Sequence, residues 1–492
     1  MAACRRVLQS GRVRTLPSAA AGALHSRALS TALAPEQGGK HVPFGEAGTG
    51  AYTSLTKGCF DVIDRCKAIA EVAVDRALAS RRAQGTSGST PFTIADFGTA
   101  DGGTSLPLMR SLVAQVRAAE PAAPIVVAYE DQAQNDWVSL FHLTQGSLPA
   151  EVQPPTYLDG SVDNVYVLAS GTSFYNMCLP PGSVDLAFSA TAMHWLTKLP
   201  CAIPDALHQA CSSDAAALAA FAEQAATDWR AIMLMRAAEL KPGGQMVVAN
   251  FAKDAEGQFL GHTPGRVKQS MHHTFSELWL QVLTLTLTLT LTLTLLNPHP
   301  SPSPNPNPNP NPNPSQVAGE AVHAATTFPN QYRSLEECAA PFAPTGGAAH
   351  AAGLRLLSAE TAVVECPFHG EWLAEGGDAA AAAARFVPTT RTWSNSTFVS
   401  GATSTGIAQA YSIQLYSIQL YSCTSLYTIH PLQHPSARRR RPTRWSTRCS
   451  RGTPRASRSP PRSTRWTTCT RTSTRARATS ATVRGETLLV GR

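Results

Sequence analysis

Between residues 91 and 251 the chain alternates two kinds of hydrophobic pattern. Short apolar runs at Pro91–Asp96, Pro124–Tyr129, Ser183–Ser189 and the end of Leu240–Phe251 read as strands. Leu106–Ala119 reads as a helix, and Trp229, Met233 and Met235 fall at helical spacing before Pro242, where they predict core packing. Strands alternating with helical segments predict an α/β domain with crossover helices. No run of about 18 uninterrupted apolar residues occurs, so no membrane-spanning helix and no membrane partner is predicted.

Two stretches break this pattern. Residues 283–296 alternate Leu and Thr, and residues 298–314 alternate Pro with Ser or Asn. As structure they read as a period-two strand and an extended Pro-rich linker. The genetic code offers a simpler account. A tandem CTAACC hexanucleotide encodes Leu-Thr in one frame and, read as AACCCT, Asn-Pro in another. Residues 282–315 therefore read as one translated non-coding repeat with a change of frame. Residues 399–492 read as a disordered tail rich in Arg, Ser and Thr. Codons for Trp466–Thr474 can be chosen so that a neighbouring frame gives Met-Asp-Tyr-Val-His-Ala-Tyr-Leu-His, and those for Arg444–Arg451 so that one gives Leu-Val-Asp-Ala-Leu-Phe-Glu. The tail is thus expected to be an out-of-frame C-terminus standing where a helix and a terminal strand belong. The competing reading is a basic arm that binds nucleic acid.

Composition sharpens the division. The chain has 492 residues, 43% of them hydrophobic and only 15% charged, enough for a sizeable core. Its net charge of +8 is unevenly placed. The first 35 residues hold five Arg and no acid, and residues 438–492 hold sixteen Arg and one acid, so the body between them is acidic. An acidic body gives no footing for nucleic acid. Arg-rich, acid-free and Ser-containing, residues 1–35 read as an organelle transit peptide, with Ser26-Arg27-Ala28-Leu29-Ser30 resembling a mitochondrial processing site. Mitochondrion stands ahead of plastid or cytoplasm. The globular remainder is residues 50–281, a core with the start of a cap, joined to 316–398, the cap and the rest of the core. The eleven Cys contain no CxxC pair, so neither a disulfide framework nor a zinc site is indicated. His272 and His273 lack a matching acid or Cys pattern, so no metal is expected.

Candidate chemistry gathers after the first two strands. Phe97-Gly98-Thr-Ala-Asp101-Gly102-Gly103-Thr104-Ser105 joins strand to helix and would cradle a ligand at the strand's carboxyl end. Gly98 and Gly102 would let the backbone approach that ligand. The spacing is not GxGxxG, and no Lys follows as in a phosphate loop. Glu130-Asp131 closes the second strand, where an acid can accept from both ribose hydroxyls or can be a solvated loop acid.

Ile94-Ala-Asp96-Phe-Gly98 resembles motif I of the S-adenosylmethionine-dependent methyltransferases, and Leu240-Lys-Pro242-Gly243-Gly244 before a hydrophobic strand is similar to the fifth-strand entry of their class I. A narrower resemblance follows. Thr172-Ser173-Phe174-Tyr175, Ala192-Met193-His194-Trp195-Leu196, Gln134-Asn135-Asp136-Trp137 within Tyr129–Phe141, and residues 328–338 are similar to segments of the SABATH family of carboxyl methyltransferases. The resemblance covers about 51–281 and 326–398. It implies a class I methyltransferase (Rossmann-like) sheet with helices on both faces plus a helical cap. It also implies methyl transfer from S-adenosylmethionine to the carboxylate of a small organic acid. Asp96, Gly98, Gly102, Asp131, Gln132, Ser173, Phe174 and Thr56 would then hold the cofactor, and Trp195, His194 and Tyr52 the substrate. Asp96 is open between receiving the cofactor's ammonium and capping its own turn. Trp279 is open between the cap and a flank of the repeat. A carboxylate is ionised at pH 7 and the sulfonium donor is already activated, so catalysis would be alignment and exclusion of water, with no catalytic acid or base.

One position departs from the family pattern. Tyr52 is in place and Thr56 can replace the hydroxyl of the family's Ser, but Cys59 stands where the family has a carboxylate-holding Gln, and a thiol is a poor replacement for an amide donor. N-methylation of a small heterocycle is therefore the alternative chemistry, and a non-catalytic binding protein the alternative class. The family's members are often dimers, which leaves a homodimer open.

Overall fold

Strands β1 (Phe92–Phe97), β2 (Ile125–Glu130) and β4 (Val184–Ala190) are nearly continuous apolar segments because both of their faces are covered. They form the centre of the sheet in a computed structural model that describes residues 43, 45–260, 270–281, 322, 323, 326–404 and 482–492. With β3 (Val165–Ser170), β5 (Leu240–Phe251), β6 (Arg355–Glu365) and β7 (Thr482–Gly491) the strand order is β3-β2-β1-β4-β5-β7-β6. Strands β1 to β5 pair in parallel, and β7 runs antiparallel to both β5 and β6.

The helices are α1 (Ala51–Leu55), α2 (Lys57–Ala83), α3 (Leu106–Ala119), α4 (Trp137–Gln145), α5 (Ala215–Glu239), α6 (271–281), α7 (Leu335–Ala339), α8 (Ala348–Ala351), α9 (Pro367–Ala374) and α10 (Ala379–Ser404). One face of the sheet is covered by α2 and α3, whose Val74, Leu78, Met109 and Leu112 pack with Ile94, Val127 and Phe188. The other is covered by α5, through Trp229, Ile232 and Met233 against Ala95, Phe97 and Val248. Each fully buried side chain of this size contributes about 1.5–3 kcal/mol.

A separate hydrophobic cluster makes the cap. Phe259, Met271, Phe275 and Trp279 pack with Phe328, Tyr332 and Phe398. Trp279 thus belongs to the cap core, and its indole N–H donates to Thr326 Oγ1 at 3.1 Å. Segments on either side of 282–315 therefore close on one core. Residues 282–315 themselves, residues 1–35 read above as a transit peptide, and the re-read stretches 444–451 and 466–474 lie outside the described residues. Among those described, no helix is long and apolar enough to cross a membrane.

The tail requires a correction at both its ends. Helix α10 continues across position 399 to Ser404. Thr482–Gly491, in the frame as written, is the terminal strand, with Val247 opposite Leu489 on one side and Glu360 opposite Thr487 on the other. Beyond it the Arg492 N–H donates to Gly244 O (3.0 Å) and Gly243 N–H to Arg492 O (2.8 Å). The run Thr482-Val-Arg-Gly-Glu-Thr-Leu-Leu-Val490 is β-branched and apolar enough to pair. Its signal was hidden by the Arg-rich composition of the residues before it.

Candidate cofactor and acceptor site

In this topology β1 has its neighbours β2 and β4 on opposite sides, connected in opposite directions, which opens a crevice beyond their carboxyl ends. Two of the three non-glycine residues with positive φ among those described stand there: Ala100 (φ 52°) after β1 and Thr191 (φ 53°) after β4. For a β-branched residue this conformation is strained, and strain of this kind clusters at functional sites. Hydrogen bonds hold it in place. Ala100 N–H donates to Asp131 Oδ2 at 2.8 Å, Asn135 Nδ2 donates to Ala100 O at 2.6 Å, and Thr191 N–H donates to Ala249 O at 2.8 Å.

Asp131 therefore clamps the loop after β1 to the loop after β2. Its Oδ1 accepts from the Gln132 N–H at 2.7 Å. With one backbone donor on each oxygen, each keeps capacity for a further donor, the arrangement that two neighbouring hydroxyls require. Asp96 lies beneath. Its Oδ2 accepts from Ser105 Oγ (2.6 Å) and Thr99 Oγ1 (3.0 Å), so of its two open roles the structure displays the capping of the turn.

Packing also requires glycine at positions 98 and 102. A Cβ on Gly98 (φ +72°) would stand 2.2 Å from Ala192 Cβ, and one on Gly102 (φ +76°) 2.5 Å from Leu140 Cδ1. The turn packs directly on the loop after β4 and on α4.

Asp101 was not singled out by its sequence, yet it builds the acceptor side. Its carboxylate accepts from Thr53 N–H (2.8 Å), Thr53 Oγ1 (2.6 Å) and Gly103 N–H (3.3 Å), which pins α1 onto the turn. Helix α1 carries Tyr52, whose hydroxyl lies 3.7 Å from Cys59 Sγ. Cys59 also meets the side chains of Thr191 and Thr56. The Thr56 hydroxyl donates to Tyr52 O at 2.6 Å, closing the end of α1, so that hydroxyl is engaged within its own segment. A Cβ on Gly103 would come within 2.1 Å of Thr53 Oγ1. Gly103→Ala is accordingly expected to cost about 1–3 kcal/mol by overpacking and to displace Tyr52. Thermal denaturation of the variant beside the wild type checks this.

The loop after β3 brings Ser173 and Phe174. The Phe174 ring lies 3.7 Å from the position a Gly98 Cβ would take. Its carbonyl accepts from Arg236 Nη1 at 2.9 Å, and the Ser173 carbonyl accepts from Asn176 N–H at 2.8 Å. Gln132 is half-buried at the end of the Asp131 clamp. Trp195 is half-buried and forms an antiparallel bridge with Asn330. His194 is buried in the seam between core and cap, its ring 5.1 Å from Phe251, 5.6 Å from Trp195 and 5.9 Å from Tyr332. Packing accounts for that placement. His272 and His273 diverge: the first stacks on His208 at 4.1 Å, and the second turns to Ser270 and Cys211. Among the described residues no three metal-binding side chains converge.

The carboxyl ends of β1 and β2 are rich in buried acids. Burial pushes the carboxyls of Asp96 and Asp131 up to about 6 and raises those of Asp101 and Glu130. Glu130 Oε2 accepts from Gly98 N–H at 3.2 Å, while its Oε1 is buried without a hydrogen-bond partner. The cation that reaches Glu130, Arg236, is paired with Glu239 at 2.7 Å. A ligand with fixed positive charge and paired hydroxyls fits this chemistry.

Comparison with known proteins agrees. Residues 45–286 match the family model of the SAM dependent carboxyl methyltransferases. The chain is 31% identical over 166 residues to O-methyltransferase acrG of Aspergillus aculeatus, covering 33% of this chain and 39% of that protein. It is 26% identical over 219 residues to loganic acid O-methyltransferase of Catharanthus roseus (41% and 54%). It is 27% identical over 185 residues to indole-3-acetate O-methyltransferase 1 of Oryza sativa (32% and 44%). The matches thus span only about half or less of these curated relatives, 39% to 54% of their lengths. A solved loganic acid methyltransferase with SAH superimposes with a TM-score of 0.56 at 15% identity, over 92% of this chain and 98% of that one, which shows a shared fold.

Proposed function

We propose that this chain, which through residues 45–286 belongs to the S-adenosylmethionine-dependent carboxyl methyltransferase family, methylates the carboxylate of a small organic acid to give a methyl ester. The observation that carries this reading is the Asp131 clamp on Ala100, which presents a half-buried carboxylate at the switch point beside the converging Tyr52, Cys59 and Thr191. The acids named for the relatives, loganic and indole-3-acetic, support the substrate class.

The residues present fit the cofactor. Asp131 has acceptor capacity for both ribose hydroxyls, and Phe174 offers an aromatic wall. The buried acids complement a sulfonium and an ammonium. When bound, S-adenosylmethionine supplies an activated methyl group. The chain's own contribution is then to position and to keep water out. Tyr52 and Thr191 carry hydroxyl donors and Trp195 an indole N–H donor, suited to an acceptor already ionised at neutral pH. The cap core formed by Phe275, Trp279, Phe328 and Phe398 would supply an apolar cover that keeps water from the reacting atoms.

Cofactor affinity should depend on pH. Asp96 and Asp131 titrate near pH 6 in the free protein, and a cation favours their ionised forms. Binding is therefore expected to release protons, to weaken as pH falls from about 7 to 5, and to level off above about 7. Calorimetry with S-adenosylmethionine in buffers of different ionisation enthalpy checks both the trend and the proton release.

Cys59 in place of an amide favours a second reading, methylation of a heterocyclic nitrogen, since thiol and phenol donors suit a neutral acceptor. Transfer of labelled methyl to a panel of small acids and heterocycles separates the two, because esters are labile to base and N-methyl products are not. For its location, residues 1–35 support import into the mitochondrion. A fluorescent protein carrying residues 1–35 at its N-terminus should then co-localise with mitochondria, and a diffuse signal would count against import.

A further inference from the structure

The loop after β3, residues 171–183, carries no helix, yet it holds the Ser173–Phe174 segment in a defined place. Two buried side chains of α5 do this. Arg236, fully buried, donates from Nη1 to Phe174 O (2.9 Å) and from Nη2 to Asn176 O (2.8 Å). Its partner Glu239 accepts from the backbone N–H groups of Cys178 (2.6 Å) and Leu179 (3.1 Å). The guanidinium also lies over the Phe97 ring at 4.1 Å, which ties the device to the end of β1. Four backbone groups of one loop are thus fixed by a single ion pair, and such charge-assisted bonds are the stronger kind.

From this anchored loop one side chain reaches across to the acceptor side. The Tyr175 hydroxyl donates to the Trp195 carbonyl in the loop after β4. The ring of Phe174, the residue before it, faces the turn at Gly98, 3.7 Å from where a Cβ there would stand, and that same Cβ would stand 2.2 Å from Ala192 Cβ. Arg333 fixes the same stretch from the other side, donating to Met193 O at 3.0 Å and to Ala225 O at 2.9 Å.

Building on the proposed function, we infer that the Tyr175 hydroxyl is a positioning group that couples occupation of the cofactor pocket to the placement of Trp195. Ligand that orders Phe174 orders Tyr175 with it, and the hydrogen bond to the Trp195 carbonyl passes that order to the residue facing the acceptor. Without the hydroxyl, Phe174 keeps its anchor on Arg236 and the cofactor pocket stays intact, but the acceptor loop is no longer linked to it.

Hydrogen exchange of the full chain with and without saturating S-adenosylhomocysteine tests this, comparing wild type with Tyr175→Phe. In wild type, the ligand should slow exchange in peptides covering 98–104 and in those covering 193–197. In the variant, protection of 98–104 should persist, while protection of 193–197 falls by roughly fivefold or more, the lower range of measured couplings between sites. Equal protection of 193–197 in the two proteins overturns the inference, as does wild type in which only 98–104 is protected. The second result needs no variant. Protection of neither segment in wild type overturns it along with the cofactor site on which it rests, a result that protection of 98–104 alone keeps distinct.

Discussion

Asp131→Ala is expected to weaken binding of S-adenosylhomocysteine by roughly a hundredfold or more. Two acceptor oxygens are lost where the ribose hydroxyls would sit, and each bond to a charged group is worth about 1.5–3 kcal/mol. The substitution also removes the acceptor for the Ala100 N–H, so the strained residue at φ 52° loses one of the bonds that holds it. Stability should change less than binding. Burial raises the Asp131 carboxyl to about 6, so its ionised form is held at a cost to the fold. For an acid raised in this way the cost appears as pH rises through the interval from about 4 to 6 and persists above it. Losing the clamp and losing the buried charge therefore act in opposite directions on the melting temperature. Calorimetry paired with thermal denaturation distinguishes lost binding from lost folding. Unchanged affinity in a folded variant would remove Asp131 from the ribose site.

Removing residues 482–492 is expected to be more severe for the fold. Strand β7 pairs with β5 from Gln245 to Phe251 and with β6 from Arg355 to Glu365. Its loss strips β6 from the sheet and exposes the edge of β5. At about 0.5–1.5 kcal/mol for each hydrogen bond, a strand paired on both sides contributes on the order of the whole stability of a domain, about 5–15 kcal/mol. The truncated chain should be insoluble or lack a cooperative thermal transition. A truncated chain that melts like the full one would show that the sheet does not depend on this strand.

Several elements were legible in the sequence for a physical reason. β1, β2 and β4 are covered on both faces, so they appear as unbroken apolar runs, and Leu106–Ala119 has Pro107 in its first turn. β7 was illegible because ten residues of strand follow a long Arg-rich tract that dominates any compositional reading. Asp131, Phe174 and Tyr52 are candidates by motif and position, and the structure sets Asp131 on Ala100 and Tyr52 beside Cys59. Asp101 is no such candidate, because an acid in a Gly-rich turn looks like a turn residue until Thr53 is seen bonded to it. Arg236 and Glu239 were hidden in the same way. An i,i+3 pair on a helix reads as a solvated face, and only the packing of the loop after β3 buries it. The packing need at Gly98 and Gly102 was not legible, because the atoms that would crowd a Cβ there come from Ala192 and Leu140, far away in sequence.

The most direct test is to incubate the full chain with methyl-labelled S-adenosylmethionine and a panel of small carboxylic acids, aromatic and aliphatic, at pH 7.5. The expected result is label in an extractable product from at least one acid, released by mild base as methanol, and lost in Asp131→Ala. Saturable cofactor binding with no label in any acid, or label only in base-stable products, would contradict carboxyl methylation as the function of this site.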